Sequence, residues 1–252
     1  MIIAHNRDEG DRRILGAHAR QERVKVCETH DDAVDAACEG AARLCIVDLN
    51  AWPRGATREL AGRLRRAHEA TPLLLRFDCT NEVLDELPML ALIGGVEFSY
   101  RGHDQLDDAL HGPHPGERVN ALVAILRRVG QRVPAAVRRR VTGLAVLGAR
   151  RVTAERAAAA LGTTLGPMRE RFEGQGVCAP GVILADTLCA TVMRRMEVGL
   201  DLTAAATLAG YSNRKPLEGF FERHLGVTPI QALAKGGFER TLEQVDAWVR
   251  PR

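Results

Sequence analysis

Several features that define large classes of proteins are missing from this 252-residue sequence. No apolar run is long enough to cross a membrane, and the start, MIIAHNRDE, lacks the apolar core of a secretory signal. These absences predict a cytoplasmic protein with no membrane partner. There is also no Gly-rich phosphate loop, no HExxH and no nucleophile motif. We therefore expect neither an enzyme nor a bound cofactor.

Cysteine and histidine do not form a recognisable metal or disulfide pattern. The six cysteines contain no CxxC pair and have no regular spacing, which predicts free, unreactive thiols in a reducing compartment. His103, His111 and His114 lie near one another in sequence. No cysteine or carboxylate stands at ligand spacing beside them, so we expect solvated loop histidines and no metal.

Charge is distributed unevenly along the chain. Residues 1–112 carry 14 Lys/Arg and 20 Asp/Glu, a net charge of −6, whereas residues 113–252 carry 21 and 12, a net charge of +9. The two values add to the +3 of the whole chain. A basic half suits a polyanionic partner and an acidic half does not. Charge alone also allows two ordinary domains that differ by chance.

The stretch DLTAAATLAGYSNRKPLEGFFERHLGVTP, residues 201–229, predicts two short helices around a glycine turn. Gly210 ends the first helix, and Ser212 is the expected N-cap of the second. Leu217 and Phe221, four residues apart, face the first helix. Two helices in this arrangement, the second with a polar and basic start, form a helix-turn-helix that can enter a DNA major groove.

A shorter copy of this pattern, AAAALGTTLGPMRERFEGQGVCAP, occurs at residues 157–180. Gly162 matches the glycine of the later turn, Thr164 matches Ser212 as the cap, and Met168 and Phe172 match the apolar pair. An internal repeat is a more specific signal than a single copy. Two further helices are predicted around the repeats, at 134–147 with outward-facing arginines and at 184–198 with an apolar stripe.

At these residues the chain resembles the AraC/XylS family of bacterial transcription regulators. The phrase GYSN…LEGFFERHLGVTP is close to that family's second-motif signature, and the resemblance covers roughly residues 134–235. It implies two recognition helices joined by the long helix at 184–198. It also implies that they enter successive major-groove segments of double-stranded DNA about one turn, or roughly 34 Å, apart.

Candidate DNA contacts lie at the starts of the two recognition helices. Arg214 suits guanine and Asn213 suits adenine, whereas Lys215 suits a phosphate. In the first motif Arg169 is the best candidate base reader and Arg171 a backbone contact. Glu218 either accepts from cytosine N4 or repels phosphate. With the two caps, the predicted DNA-binding set is Thr164, Arg169, Arg171, Ser212, Asn213, Arg214, Lys215 and Glu218.

Two prolines bear on these helices. Gly166 and Pro167 leave the first recognition helix with little to insert at its start. Pro216 is expected at the fourth position of the second recognition helix, where it would remove a hydrogen bond and delay the helix start.

Strands and helices alternate over residues 1–112, after the short apolar start at residues 2–4. This order predicts a parallel sheet with helices on both faces. The predicted strands lie at 23–27, 44–47, 72–77 and 95–100. The predicted helices lie at 11–19, 31–40, 57–67, 81–92 (interrupted or bent near Pro88) and 104–110.

That order, with Asp48 ending the third strand, resembles a response-regulator receiver domain. The resemblance implies a flavodoxin-like α/β fold, and a phosphorylated aspartate beside Mg²⁺ held by an acidic pair after the first strand. His5 and Asn6 stand at that place, and Tyr100-Arg101 lies where a lysine is expected. The charge of a transferred phosphoryl group is then uncompensated. We expect Asp48 to be a strand-end loop residue instead of a phosphoacceptor.

Composition suggests the domain boundaries. GPHPG at 112–116 is a linker, and residues 117–130 form an amphipathic helix that either packs on its own subunit or joins two subunits. Residues 238–249 present a further apolar face, for the DNA-binding module or for a partner. The expected parts are a receiver-like domain (1–112), a linker with a helix (113–133), an AraC-type DNA-binding domain (134–235) and a C-terminal helix (236–252).

Together these features predict a cytoplasmic, bacterial, sequence-specific transcription regulator that binds duplex DNA as a homodimer. Its N-terminal domain would serve dimerisation or contact a signal, RNA polymerase or another regulatory protein. Two alternatives remain open. One is a response regulator controlled by phosphorylation of Asp48. The other is a protein-interaction scaffold whose helix-turn-helix motifs no longer bind DNA.

Overall fold

The chain divides into two compact units, residues 1–119 and 120–252. A computed structural model describes residues 2–5, 15, 24–27, 29–39, 44–51, 55–67, 73–93, 96–101, 121–130 and 132–249. Within those ranges no helix is both long and apolar enough to span a membrane. The predicted helix at 104–110, the linker at 112–116 and the three clustered histidines lie outside the described residues. Of the predicted helix at 11–19 only Leu15 is described, and it is helical and buried.

The first unit is built on a five-stranded sheet in which every neighbouring pair of strands is parallel. The strand order is β2-β1-β3-β4-β5. The prediction of an α/β N-terminal half is therefore confirmed. The strands are β1 (Ile2–His5), β2 (Val24–Val26), β3 (Leu44–Asp48), β4 (Leu73–Phe77) and β5 (Val96–Tyr100).

Burial explains why the residues of β3 and β4 are mostly apolar. Every residue of both strands is buried, as expected for parallel strands covered on both faces. The one long polar side chain of β4, Arg76, is 4% exposed and donates from Nη1 to Ser99 Oγ on β5 at 2.9 Å. A buried polar group of this kind is tolerated because it is hydrogen-bonded.

Three described helices accompany the sheet: α1 (His30–Glu39), α2 (Ala56–Ala67) and α3 (Asn81–Leu90). A short 3₁₀ turn, Leu49–Ala51, follows β3. Helix α1 packs against α2 and β1. Helix α3 is N-capped by Thr80, whose hydroxyl accepts from the backbone of Val83. Of the two expectations for Pro88, an interruption or a bend, the interruption is wrong, because α3 continues through Pro88 and ends two residues later. A proline removes only the bond to the preceding turn, and here little helix follows it.

In the described residues of the second unit, the regular structure is helical apart from one isolated bridge between Val177 and Val249. The prediction of an α-rich C-terminal half is confirmed. Its helices are α4 (Ala121–Val129), α5 (Ala135–Leu147), α6 (Ala154–Ala160), α7 (Leu165–Gly174), α8 (Pro180–Glu197), α9 (Leu202–Leu208), α10 (Arg214–Leu225), α11 (Pro229–Ala234) and α12 (Gly237–Asp246).

Helix α8 is the centre of the second unit. It has 18 residues, roughly 27 Å of helix at 1.5 Å per residue, and most of its length is buried. It packs against α4, α5 and α12. The end of α5 approaches it so closely that a Cβ added at Gly148 would lie 3.1 Å from the Cα of Leu184.

Helix α4 is the amphipathic helix for which the sequence left two interpretations. Six of its nine residues are buried, and the helix packs against α5, α8 and α12 of its own chain. Its apolar face is therefore occupied within the subunit. The apolar face of α12 is covered in the same way, with Phe238, Leu242 and Val245 buried.

A single carboxylate joins three parts of this unit. Asp186 lies on α8 and is 3% exposed. Its Oδ2 accepts from Trp248 Nε1 at 2.8 Å, and its Oδ1 lies 2.6 Å from His224 Nε2 near the end of α10. Trp248 is itself fully buried, so its indole N–H depends on this carboxylate for a partner.

We predict that Asp186→Ala lowers the free energy of unfolding of the second unit by about 2–4 kcal/mol. The physical reason is that the buried indole N–H of Trp248 and the ring of His224 lose their shared acceptor. Urea unfolding followed by the fluorescence of Trp248, in a Trp52→Phe background that removes the other tryptophan, measures this. The exposed Glu173→Ala serves as a control and should change stability by less than about 0.5 kcal/mol. An Asp186→Ala chain as stable as this control would contradict the role given to the carboxylate.

Candidate nucleic-acid interface

The first helix pair consists of α6 and α7, joined by the turn at residues 161–164. Gly162 in this turn has φ +67°, a conformation that favours glycine. Met168 and Phe172, the predicted apolar pair, are 1% and 0% exposed on α7. Two alanines of α6, Ala157 and Ala158, are fully buried, and their small side chains allow the two helices to approach closely.

The second helix pair, α9 and α10, repeats this construction. Gly210 in its turn has φ +84°. Leu217 and Phe221 on α10 are fully buried, as are Ala205 and Ala206 on α9. The predicted spacing of apolar residues in both copies thus corresponds to real packing between the paired helices.

The predicted caps are only partly right. Thr164 occupies the N-cap position of α7, but its side chain makes no capping hydrogen bond. Ser212 is not the N-cap of α10, so that prediction is wrong. The cap is Asn213, whose Oδ1 accepts from the backbone N–H of Lys215 at 3.1 Å. The Ser212 hydroxyl instead accepts from Asn213 Nδ2 at 3.4 Å.

The reason for this error is a difference of one residue between the two turns. Met168 follows the Thr164 cap by four residues, and Leu217 follows the Asn213 cap by four residues. Thr164 therefore corresponds to Asn213, and the second turn is one residue longer. In both helices the N-cap lies four residues before the first residue of the apolar pair, whereas its distance from the turn glycine differs.

The same alignment explains the prolines. Pro167 and Pro216 both occupy the third helical position of their helices. Backbone N–H groups of the first turn have no intrahelical partner, so a proline there removes no hydrogen bond. The expected delay in the start of α10 is wrong, since this helix begins at Arg214, directly after its cap.

Most predicted DNA-contacting residues lie on the surface of these two helices. Arg214 and Lys215 are exposed in the first turn of α10, next to exposed Ser212 and Asn213, and Glu218 is half-buried one turn later. Thr164, Arg169 and Arg171 are exposed in the first pair. The first turn of α10 therefore carries two cations, whereas the matching positions of α7 are Leu165 and Gly166.

Sequence reasoning missed a direct link between the two helix pairs. The backbone N–H of Arg151, just before α6, donates to Ala209 O at the end of α9 at 2.8 Å. Arg150 Nε donates to Leu208 O at 3.0 Å, and the Arg151 guanidinium lies 5.1 Å from the centre of the Tyr211 ring. The adjacent arginines were visible in the sequence, but their partners lie some 60 residues away. These contacts connect the pairs independently of α8.

In the first unit, the carboxyl ends of β3, β4 and β5 bring Asp48 and Arg101 together. Asp48 is 3% exposed, and its Oδ1 lies 2.9 Å from Arg101 Nη2 in an ion pair. The same oxygen accepts from the backbone N–H of Asn50 at 3.0 Å. Arg101 Nη1 also lies 3.1 Å from Asp78 Oδ2. Asp48 is thus the buried last residue of β3, and the expectation of a loop position is wrong.

Three of the described thiols, those of Cys27, Cys79 and Cys189, are poor nucleophiles. Cys27, Cys45 and Cys189 are buried, and burial raises the pKa of Cys27 and of Cys189 above the ordinary thiol value. Burial also raises the pKa of Cys79 to about 12, against the opposing hydrogen bond from Tyr100. These three groups remain protonated near neutral pH, and a protonated thiol is not the reactive species.

Among the residues that the structure describes, no cluster of His, Cys, Asp and Glu could hold a metal ion.

Comparison with family models, with curated proteins and with solved structures finds no match to this chain.

We predict that Asn213→Ala lowers the free energy of unfolding of the second unit by about 1 kcal/mol, because the start of α10 loses its side-chain acceptor. Ser212→Ala should change it much less, since that hydroxyl accepts no backbone N–H of the helix. Urea unfolding of the two variants side by side measures the difference. If both variants lost the same stability, or Ser212→Ala lost more, the result would contradict Asn213 as the cap and support Ser212.

Proposed function

We propose that this protein is a DNA-binding transcription regulator. The observation that carries the proposal is the first turn of α10, where exposed Arg214 and Lys215 follow a capped helix start. Buried Leu217 and Phe221 fix that helix against its partner α9. A helix held in this way, with cations and an amide at its exposed start, suits the major groove and its phosphates.

The second helix pair is the main reader in this proposal. In this proposal each helix pair is a helix-turn-helix. Both pairs belong to one unit, in which α8 and the Arg150–Arg151 contacts connect them. Because Leu165 and Gly166 occupy the matching start of α7, the first pair offers Arg169 and Arg171 farther along the helix. We therefore assign base discrimination mainly to Arg214 and phosphate binding to Lys215, because the side chain of Asn213 is engaged as the cap of α10.

The first unit is proposed to be a receiver-like module that does not accept phosphate. Its 2-1-3-4-5 order of parallel strands is the order of flavodoxin-like folds. Asp48 stands where such a module would carry a phosphoacceptor, and the Arg101 guanidinium pairs with its carboxylate in the place of the expected lysine. His5 is the last residue of β1 and Asn6 is next in the sequence, where an Mg²⁺-binding acidic pair would be needed. This unit is assigned to dimerisation or to contact with another regulatory protein.

Selection from random DNA duplexes should enrich a sequence motif that the full-length protein binds. We expect Arg214→Ala to lose about 1–3 kcal/mol of discrimination at one base pair, because a bidentate contact is removed. Lys215→Ala should weaken binding to all sequences evenly and reduce the slope of affinity against salt by about one. Affinity measured over a range of salt concentrations separates the two effects.

The matched control is Arg240→Ala, which removes an exposed arginine from α12. Its affinity, salt slope and motif should equal those of the unaltered protein. Failure to enrich any motif, or an Arg214→Ala protein that discriminates as well as the unaltered one, would favour the interaction-scaffold alternative.

Incubation with acetyl phosphate and Mg²⁺ should leave the intact mass of the protein unchanged. The reason is that His5 and Asn6 occupy the sequence positions at which a receiver carries its Mg²⁺-binding acidic pair, and Asp8 and Glu9 come slightly too late. Mass spectrometry of the full chain measures this, with a functional receiver protein as the positive control. A phosphoryl adduct that disappears in Asp48→Asn would support the response-regulator alternative instead.

A further inference from the structure

A cleft of about 450 Å³ opens between α8, α10 and the segment that precedes α6. Its volume falls in the range of sites that hold small organic ligands. All of its described lining residues belong to the second unit. We refer to it as the α8–α10 cleft.

The lining of the α8–α10 cleft is cationic. Arg151, Lys215 and Arg223 line it and are exposed, and no described lining residue is acidic. Arg150 also lines it, although its Nε is bonded to a backbone carbonyl. The adjacent carboxylate of Asp186 is buried and already hydrogen-bonded. Like charges that converge in a concave site raise the local positive potential and attract anions.

Helix ends add to this potential. Gly181 in the first turn of α8 and Lys215 in the first turn of α10 both line the cleft. The N-terminal turn of a helix carries partial positive charge, which favours a nearby anion. Two long helices therefore begin at a site that already holds several cationic side chains.

The remaining wall is apolar and partly aromatic. Phe220 of α10 lines the cleft and is half-buried, and the nearly buried Leu184, Leu188 and Tyr211 also belong to this lining. The Tyr211 and Phe220 ring centres are 6.3 Å apart, and the Arg151 guanidinium lies over the Tyr211 ring. An inorganic ion would leave the half-buried Phe220 ring uncovered. A flat organic body would cover it and be stabilised by apolar burial and aromatic contact.

We propose that the α8–α10 cleft binds a small aromatic organic acid. Its acid group lies on the side of Arg151, Lys215 and Arg223, and its ring lies against Phe220 and Leu184. This binding site does not require that the protein bind DNA. Where the DNA-binding proposal also holds, the ligand and the DNA compete for Lys215. The bound ligand then lowers the affinity of the protein for DNA.

The test is titration of the full-length protein with naphthalene-2-carboxylate, followed by calorimetry or ligand-detected NMR. The neutral alcohol 2-naphthylmethanol has the same ring system and serves as the comparison ligand. We expect the carboxylate to bind at least about tenfold more tightly than the alcohol, because charge-assisted hydrogen bonds are lost with the acid group.

Two variants test the site in different ways. Arg223→Gln removes a lining charge and should weaken carboxylate binding about tenfold. Gly181→Phe changes no charge. A Cβ at Gly181 has no neighbour within 4 Å, so the added ring has room in the cleft that Gly181 lines. The ring should therefore block binding. Arg240→Gln, which removes an arginine outside the cleft, should leave binding unchanged. Circular dichroism and thermal unfolding confirm that each variant is folded.

The outcomes separate this site from the proposed DNA contacts. No carboxylate binding, equal binding of the neutral alcohol, or unchanged binding by both cleft variants would overturn the proposal. It is also overturned if the carboxylate does not bind while a random-sequence duplex loses affinity in both variants, because the cleft would then be a DNA backbone contact. Carboxylate binding that both variants abolish supports the site, even if the unaltered protein binds no duplex. In that case the DNA-binding proposal alone fails.

Discussion

The buried carboxylate of Asp186 is the interaction on which the second unit depends. It holds α8, the end of α10 and the segment around Trp248 in one place. A charge out of water is expensive unless it is paired and fully hydrogen-bonded, so neither the indole nor the imidazole can move away without cost. The orientation of α10, and with it the exposed start of that helix, is therefore tied to the core of the unit and not to the turn alone.

Much of the second unit could be predicted because its signals are local. Helical spacing located α7, α8 and α10, and the apolar pairs Leu217–Phe221 and Met168–Phe172 are buried as expected. The cap of α10 was misplaced because a turn can gain one residue without losing its glycine. The contacts of Asp186 and Arg150 could not be predicted, since each joins residues far apart in sequence and nothing in their immediate neighbours indicates the partner.

In the first unit, too, local features could be predicted from the sequence and long-range contacts could not. Apolar runs gave the positions of β3, β4 and β5 to within one residue, because strands buried on both faces leave little freedom in composition. The pairing of Asp48 with Arg101 depends on the order of strands in the sheet, which brings together side chains 53 positions apart in the sequence. An arginine in the place of an expected lysine can still neutralise the aspartate, which residue type alone did not reveal.

The bridge between Val177 and Val249 and the bond from Cys178 N to Trp248 O have a consequence for how the protein is made. During synthesis α7 and α8 leave the ribosome well before the residues that complete their packing. Until Trp248 has been made, Asp186 has no indole donor and the apolar face of α8 that meets α12 is uncovered. The native packing of α8 is thus completed only after residues 248 and 249 have been synthesised, and the helix pairs emerge before the core that fixes them.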